Sequence, residues 1–153
     1  MKFMLNSINY DDLTLSKNNL IIQYMKIIKE KNIIFDKKGS PSLKIEDDNF
    51  LSCFKNRFYA GYIEKNRVHD FNGAQRGWFK SGVLRDLNGK CVGFVVGANG
   101  KFHPKFPPPK KTSIKHVKMT NPPLKPVSQE YPFEEPKLQK EWADTNPTTL
   151  MIP

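Results

Sequence analysis

Proline is nearly missing from the first two thirds of this chain, and glycine is missing from the last third. Only Pro41 precedes Pro104, and no glycine follows Gly100. Cysteine is scarce. Cys53 and Cys91 stand apart with no CxxC spacing, and only His69, His103 and His116 are there to complete a zinc site that needs about four ligands. Both cysteines are read as reduced small hydrophobes, with a disulfide between two strands as the open alternative. No run approaches the ~18–20 apolar residues of a membrane span, and residues 1–9 lack the apolar stretch of a secretory signal. The expectation is a soluble cytoplasmic chain with no membrane span. Hydrophobic residues make up 38%, below the usual ~45–50%. The 153 residues therefore form one domain with a modest core and solvated extensions.

Against these absences stand a net charge of +10 and a sharp change of composition along the chain. Three parts follow: a helical extension (1–32), a glycine-punctuated middle (33–100) and a Pro/Lys-rich tail (101–153). In the first part, Leu20, Tyr24, Ile27, Ile28 and Lys31 follow helical spacing, and Ile21 and Met25 widen the apolar face. The spacing predicts one helix from about Thr14 to Lys31, with Thr14 or Ser16 as cap. So apolar a face must dock. The domain's own sheet is the favoured surface and a second copy of the chain the other.

The middle contains a repeat. Gly61-Tyr62-Ile63, Gly77-Trp78-Phe79 and Gly93-Phe94-Val95 recur at a spacing of 16, as do Asp70-Phe71-Asn72-Gly73 and Asp86-Leu87-Asn88-Gly89. Asp36-Lys37-Lys38-Gly39 and Phe54-Lys55-Asn56-Arg57 are degraded copies of the turn. Asn-Gly is a strong hairpin signal, because a type I′ turn needs positive φ at both central positions. An Asp just ahead can bond the backbone N–H groups of the turn. A second turn, Lys65-Asn66 or Ser81-Gly82, leads into the return strand. Each unit is thus two strands and two turns, and four units give about eight strands. Tyr62, Trp78 and Phe94 share one repeat position and are expected to form equivalent layers of a shared core. The glycines before them imply an approach so close that a Cβ would block it.

The stretch from Ile34 to Ala98 resembles the bacterial 4-fold beta-flower proteins. The likeness is carried by Gly77-Trp78-Phe79, Gly82-Val83, Arg85-Asp86, Asn88-Gly89, Cys91 and Phe94, with Phe35-Asp36 and Gly39 at the start. The run Pro122-Pro123-Leu124-Lys125-Pro126-Val127 is similar in style to tails of that group. The resemblance implies an all-β fold of four β-hairpin petals about a pseudo-fourfold axis, and it brings no catalytic residues. Phe54 and Arg57 depart from the Asp and Gly of the turn, so that turn is expected to be irregular.

The tail has seven lysines from Lys101 to Lys125 and no acid before Glu130. Pro107-Pro108-Pro109 enforces extended backbone. Such composition predicts disorder, with late aromatics such as Trp142 docking on a partner or on the domain. Lys105, Lys110, Lys111, Lys115, Lys118 and Lys125 form a candidate strip for phosphates or other anions. Turn-forming roles fall to Asp36, Gly39, Asp70, Asn72, Gly73, Asp86, Asn88 and Gly89.

Little points to chemistry. His69-Asp70 with Cys91 would suit a thiolate nucleophile with its base, but Asp70 is explained by its turn. Gly97-Ala98-Asn99-Gly100 has no following helix and reads as a turn, not a phosphate loop. Glu46-Asp47-Asp48 lacks the alternating spacing of a calcium loop. No metal or cofactor is implied. The expectation is a non-catalytic binding or assembly module for a macromolecular partner. The alternative is a nucleic-acid-associated protein acting through its tail. An enzyme with a site between petals near His69, Arg85 or Cys91 is the least favoured reading.

Overall fold

The computed structural model describes residues 16–23, 32–111, 119–126 and 134–153. Eight strands follow in order: β1 (Ile33–Phe35), β2 (Pro41–Ile45), β3 (Phe50–Cys53), β4 (Tyr59–Glu64), β5 (Arg67–His69), β6 (Gln75–Lys80), β7 (Val83–Asp86) and β8 (Cys91–Phe94). Each pairs antiparallel with the next, and β8 returns to β1, so the meander closes into a barrel in chain order. The all-β class and the strand count agree with the sequence reading. Four hairpins result: β1–β2, β3–β4, β5–β6 and β7–β8.

Two kinds of turn alternate, and their chemistry differs from the expected one. In the Asp turns, Asp36 Oδ1 accepts from the N–H groups of Lys38 and Ser40, both at 2.9 Å. Asp70 does the same for Asn72 and Ala74, and Asp86 for Asn88 and Lys90. Gly39, Gly73 and Gly89 donate to the carbonyl of their own Asp. Only these glycines have positive φ there (78°, 85° and 86°), and Asn72 and Asn88 do not. The geometry is a type I turn closed by a left-handed glycine, not the type I′ turn expected of Asn-Gly, because the Asp carboxylate organises a longer loop. Positive φ at both positions occurs instead in the linking turns, at Lys65 and Asn66 and at Ser81 and Gly82. In the second hairpin Arg57 takes the glycine's place at φ 61°, and its N–H donates to Cys53 rather than to Phe54, which is the expected irregularity.

Ile34, Leu43, Leu51, Val68, Leu84 and Val92 fill the barrel interior, joined from the C-terminal end of the chain by Ala143 and Met151. Helix α2 (Pro147–Leu150) starts at Asn146, whose side chain accepts from Thr149 N–H. A Cβ on Gly61 would collide with the His69 carbonyl and Met151, one on Gly77 with the Arg85 carbonyl close to Leu150, and one on Gly93 with Phe35, Ile34 and Pro147. The three repeat glycines therefore encircle the C-terminal plug.

This placement corrects the expected shared aromatic core. Successive side chains of a strand point to opposite faces. Since Gly61, Gly77 and Gly93 face inward, Tyr62, Trp78 and Phe94 must face outward. They are buried all the same, at 3%, 6% and 3% exposure, each at its own junction between strands.

Beyond residue 100 the described stretches of the tail lie against the barrel. The β1–β8 seam is bridged by a single residue pair, Phe35 with Phe94. Farther along β8, the Cys91 N–H donates to Glu141 and the Cys91 carbonyl accepts from Ala143, so Trp142 and its neighbours serve as strand partner. Backbone groups the barrel leaves open are thus satisfied by the tail, whose side chains remain mostly exposed apart from a few anchors. These contacts join segments on both sides of residue 100.

The N-terminal helix is seen over residues 16–23 (α1), every one of them exposed. Leu20, Ile21 and Ile22 are 56–63% exposed, so this stretch does not dock on the sheet. The remainder of the expected helix lies outside the described residues.

Candidate functional site

The Asp turns and the tail form one surface. The Gly39 carbonyl accepts from the Lys110 N–H at 2.8 Å, and Lys110 Nζ reaches Ser40 Oγ at 3.1 Å. The equivalent Gly89 carbonyl accepts from the Gln139 N–H at 3.2 Å, while Gln139 Nε2 donates to the Asn88 carbonyl at 2.8 Å. Pro126 sits against Gly73. The Tyr59 hydroxyl donates to the Thr120 carbonyl at 3.1 Å. The described tail stretches thus reach the fourth hairpin, the first, the second and third, and then the fourth again before the chain enters the barrel.

Arg85 fastens both passes over the fourth hairpin. It is 4% exposed. Nη1 donates to the carbonyls of Gly89 and Gln139, both at 2.8 Å, and to Cys91 Sγ at 3.4 Å; Nη2 donates to the carbonyls of Lys101 and Phe102 at 2.9 and 3.0 Å. Among the described residues no carboxylate pairs with it. Its cross-strand neighbour is Trp78, whose ring is covered on the other side by the Arg67 guanidinium at 5.1 Å.

The three outward aromatics meet different covers. Phe94 stacks on Phe106 with centroids 4.5 Å apart and planes at 6°, with Trp142 edge-on beside it. Tyr62 stacks on His69 at 5.2 Å and lies under Lys125 Nζ at 5.4 Å. Trp78 borders a cavity of about 290 Å³ whose other walls come from residues 99–102 and 135–138.

The candidate anion strip is divided by this arrangement. Lys105, Lys110 and Lys111 are exposed on one stretch. Lys125 is drawn onto the Phe50 and Tyr62 rings and donates to the Asp48 carbonyl at 3.2 Å. Lys115 and Lys118 lie outside the described residues.

His69 and Cys91 do not meet, since each serves its own hairpin. Burial pushes the His69 imidazole below its ordinary value, with Glu64 acting against it. Burial pushes the Cys91 thiol up, the opposite of an activated thiolate. Cys53 and Cys91 are both free. Asp70 is spent on its turn and on Arg76 Nε, 2.7 Å away. Sequence reasoning did not single out Phe106 or Met151 as anchors, nor Arg85 as the tail's clasp. The one signal for Arg85 was its place in the repeat, aligned with Phe35, Cys53 and His69, where a lone cation needs a reason. Among the described residues no helix is long and apolar enough to cross a membrane.

Comparison with known proteins agrees with this geometry. Neither the curated proteins nor the solved structures contain a match. Residues 32–151 match the family described as 4-fold beta flower protein, and the chain belongs to that family. The matched span takes in the strapped tail together with the barrel.

Proposed function

We propose that this 4-fold beta flower protein is a non-catalytic binding or assembly module whose Asp turns hold extended, proline-bearing chain. The observation that carries the reading is a repeated acceptor: the glycine carbonyl of the first and of the fourth turn each receives a backbone N–H from extended tail, Lys110 on Gly39 and Gln139 on Gly89. Backbone-to-backbone hydrogen bonds supply the contact, and the consecutive prolines hold the guest in the extended form that can make it. A platform that grips Pro107-Pro108-Pro109-Lys110 in its own chain can grip a similar segment of a protein partner. The exposed Leu20, Ile21 and Ile22 of α1 add an apolar surface for assembly.

The test is a titration of the full chain with a labelled peptide of the sequence Pro104–Lys111, followed by fluorescence anisotropy. The expected result is saturable binding that tolerates salt and weakens at least about tenfold when the three consecutive prolines become serine. A parallel titration with a single-stranded oligonucleotide probes the alternative, a nucleic-acid-associated protein using Lys105, Lys110 and Lys111. Oligonucleotide binding that collapses with salt, without peptide binding, replaces the platform reading with the electrostatic one. No saturable binding of the peptide sinks the platform reading.

A further inference from the structure

The cavity beside Trp78 combines three features that the rest of the surface does not explain. The first is Arg85, a buried cation on its wall whose partners among the described residues are carbonyls and a sulfur but no carboxylate. Carbonyl dipoles satisfy its N–H groups and, among the described residues, no counter-ion pairs with its charge; a buried charge of that kind favours an anion nearby. Lys80 and Lys101 line the same cavity, against one acid, Glu135, which already pairs with Lys80 at 3.4 Å. The local field is therefore positive.

The second feature is the apolar wall. Trp78 forms one side, with Phe102 and Leu138 from the two tail passes among the others. Phe102 holds a left-handed backbone at φ 57°, where a bulky non-glycine residue is strained, and its carbonyl is clasped by Arg85. The residue stays 55% exposed.

The third is the internal repeat. At the equivalent Phe94 junction an aromatic ring, Phe106, lies flat on the repeat aromatic. At the Tyr62 junction a cation, Lys125, and Phe71 cover it. At Trp78 the Arg67 guanidinium covers the ring from within the barrel, and the tail passes on either side and leaves a space of about 290 Å³ along its edge, at the small end of ligand pockets.

We propose that this cavity is a binding site for a small aromatic carboxylate. The ring takes the place beside Trp78 that Phe106 takes beside Phe94, and the carboxylate turns toward Arg85 and Lys101. Ser81 and Asn99 on the wall supply polar groups that orient it.

The experiment uses the full chain, labelled with ¹⁵N, and follows the two indole N–H resonances. Trp78→Phe assigns them. Benzoate is expected to move the Trp78 resonance saturably and leave that of Trp142 in place. Benzyl alcohol, with the same ring and no charge, is expected to bind at least about tenfold more weakly. Lys101→Glu removes a side-chain cation but keeps the carbonyl that Arg85 uses; it is expected to weaken benzoate at least about threefold with the unfolding temperature unchanged. The proposal is overturned if benzoate gives no saturable shift by about 20 mM, or if benzyl alcohol shifts the resonance as strongly. The comparison of the two ligands is made on the unaltered protein and does not depend on any variant folding.

Discussion

Asp86 holds its turn through the N–H groups of Asn88 and Lys90, two and four positions away, whereas Gln139 holds the same turn from 51 positions away. That contrast runs through the molecule. In the barrel, hairpins are specified by contacts between near neighbours, and the same Asp contacts recur in the first, third and fourth hairpins, the last two sixteen residues apart. In the tail, Phe106, the pair Trp142-Ala143 and Met151 are separated by mainly polar stretches and pack on the barrel from tens of residues away, with Phe106 and Trp142 also touching each other. Composition measures the average of a segment, and a few well-placed anchors leave the average polar. A chain that completes a seam, covers outward rings and plugs an axis does not need many apolar residues to pack on the barrel.

Two glycines sharpen the comparison most. Gly89 and Gly97 have nearly the same φ, 86° and 80°, yet a Cβ on Gly89 would strike the Lys137 carbonyl of the tail, while one on Gly97 meets nothing within 4 Å. Gly89→Ala is expected to cost about 3–4 kcal/mol, backbone strain plus the collision, and Gly97→Ala about 1–2 kcal/mol, strain alone. Chemical denaturation of the two variants measures the difference; equal losses would mean that the tail does not press on the turn. Met151→Ala is the next largest, about 2–3 kcal/mol, because the side chain is 4% exposed among Ile34, Val68 and Leu84. A loss near zero in the same measurement would break the claim that tail and barrel share one core.

The smallest effect is one of pH. His69 has a lowered value in the folded state because it is buried. The unfolded chain therefore binds the proton more readily, and the contribution of His69 to stability is present above its ordinary value of about 6.5 and lost as pH falls below it. The loss is at most about 1.4 kcal/mol per pH unit, and it ends once pH drops below the folded value. Thermal unfolding of the parent and of His69→Phe between pH 7 and about 5 is expected to diverge, the variant having the flatter profile. Parallel profiles would contradict the burial of that ring.

Much of the barrel was legible because its signals are short-range. The Asp of each turn, the glycine that closes it and the strand count all follow from residues within a few positions of one another. The turn type was misread because Asn-Gly alone suggests a two-residue turn, whereas the Asp carboxylate and the left-handed glycine build a longer one. The aromatics were misplaced for a different reason. Alternation fixes that Gly77 and Trp78 face opposite ways, but only a close approach from outside the repeat tells which of them faces the axis. Of the candidate sites, exposed lysines could be read along the chain. The Trp78 cavity could not, because its walls come from three separated segments.

The periodic middle, by itself, determined that eight antiparallel strands would form and where the chain would turn, since backbone geometry and Asp–backbone bonding act over a few residues. It also carried, in Gly61, Gly77 and Gly93, the mark of something that must come close. Only the tertiary structure decided what that was: a backbone carbonyl of a neighbouring strand at each glycine, and beside it the chain's own C-terminal segment, drawn into the barrel because a seam left the Cys91 backbone unpaired and an axis left room for Met151. Burial and hydrogen-bond completion depend on which surfaces are left open once the barrel has closed. Those surfaces lie tens of residues from the segments that fill them, beyond the reach of any local pattern.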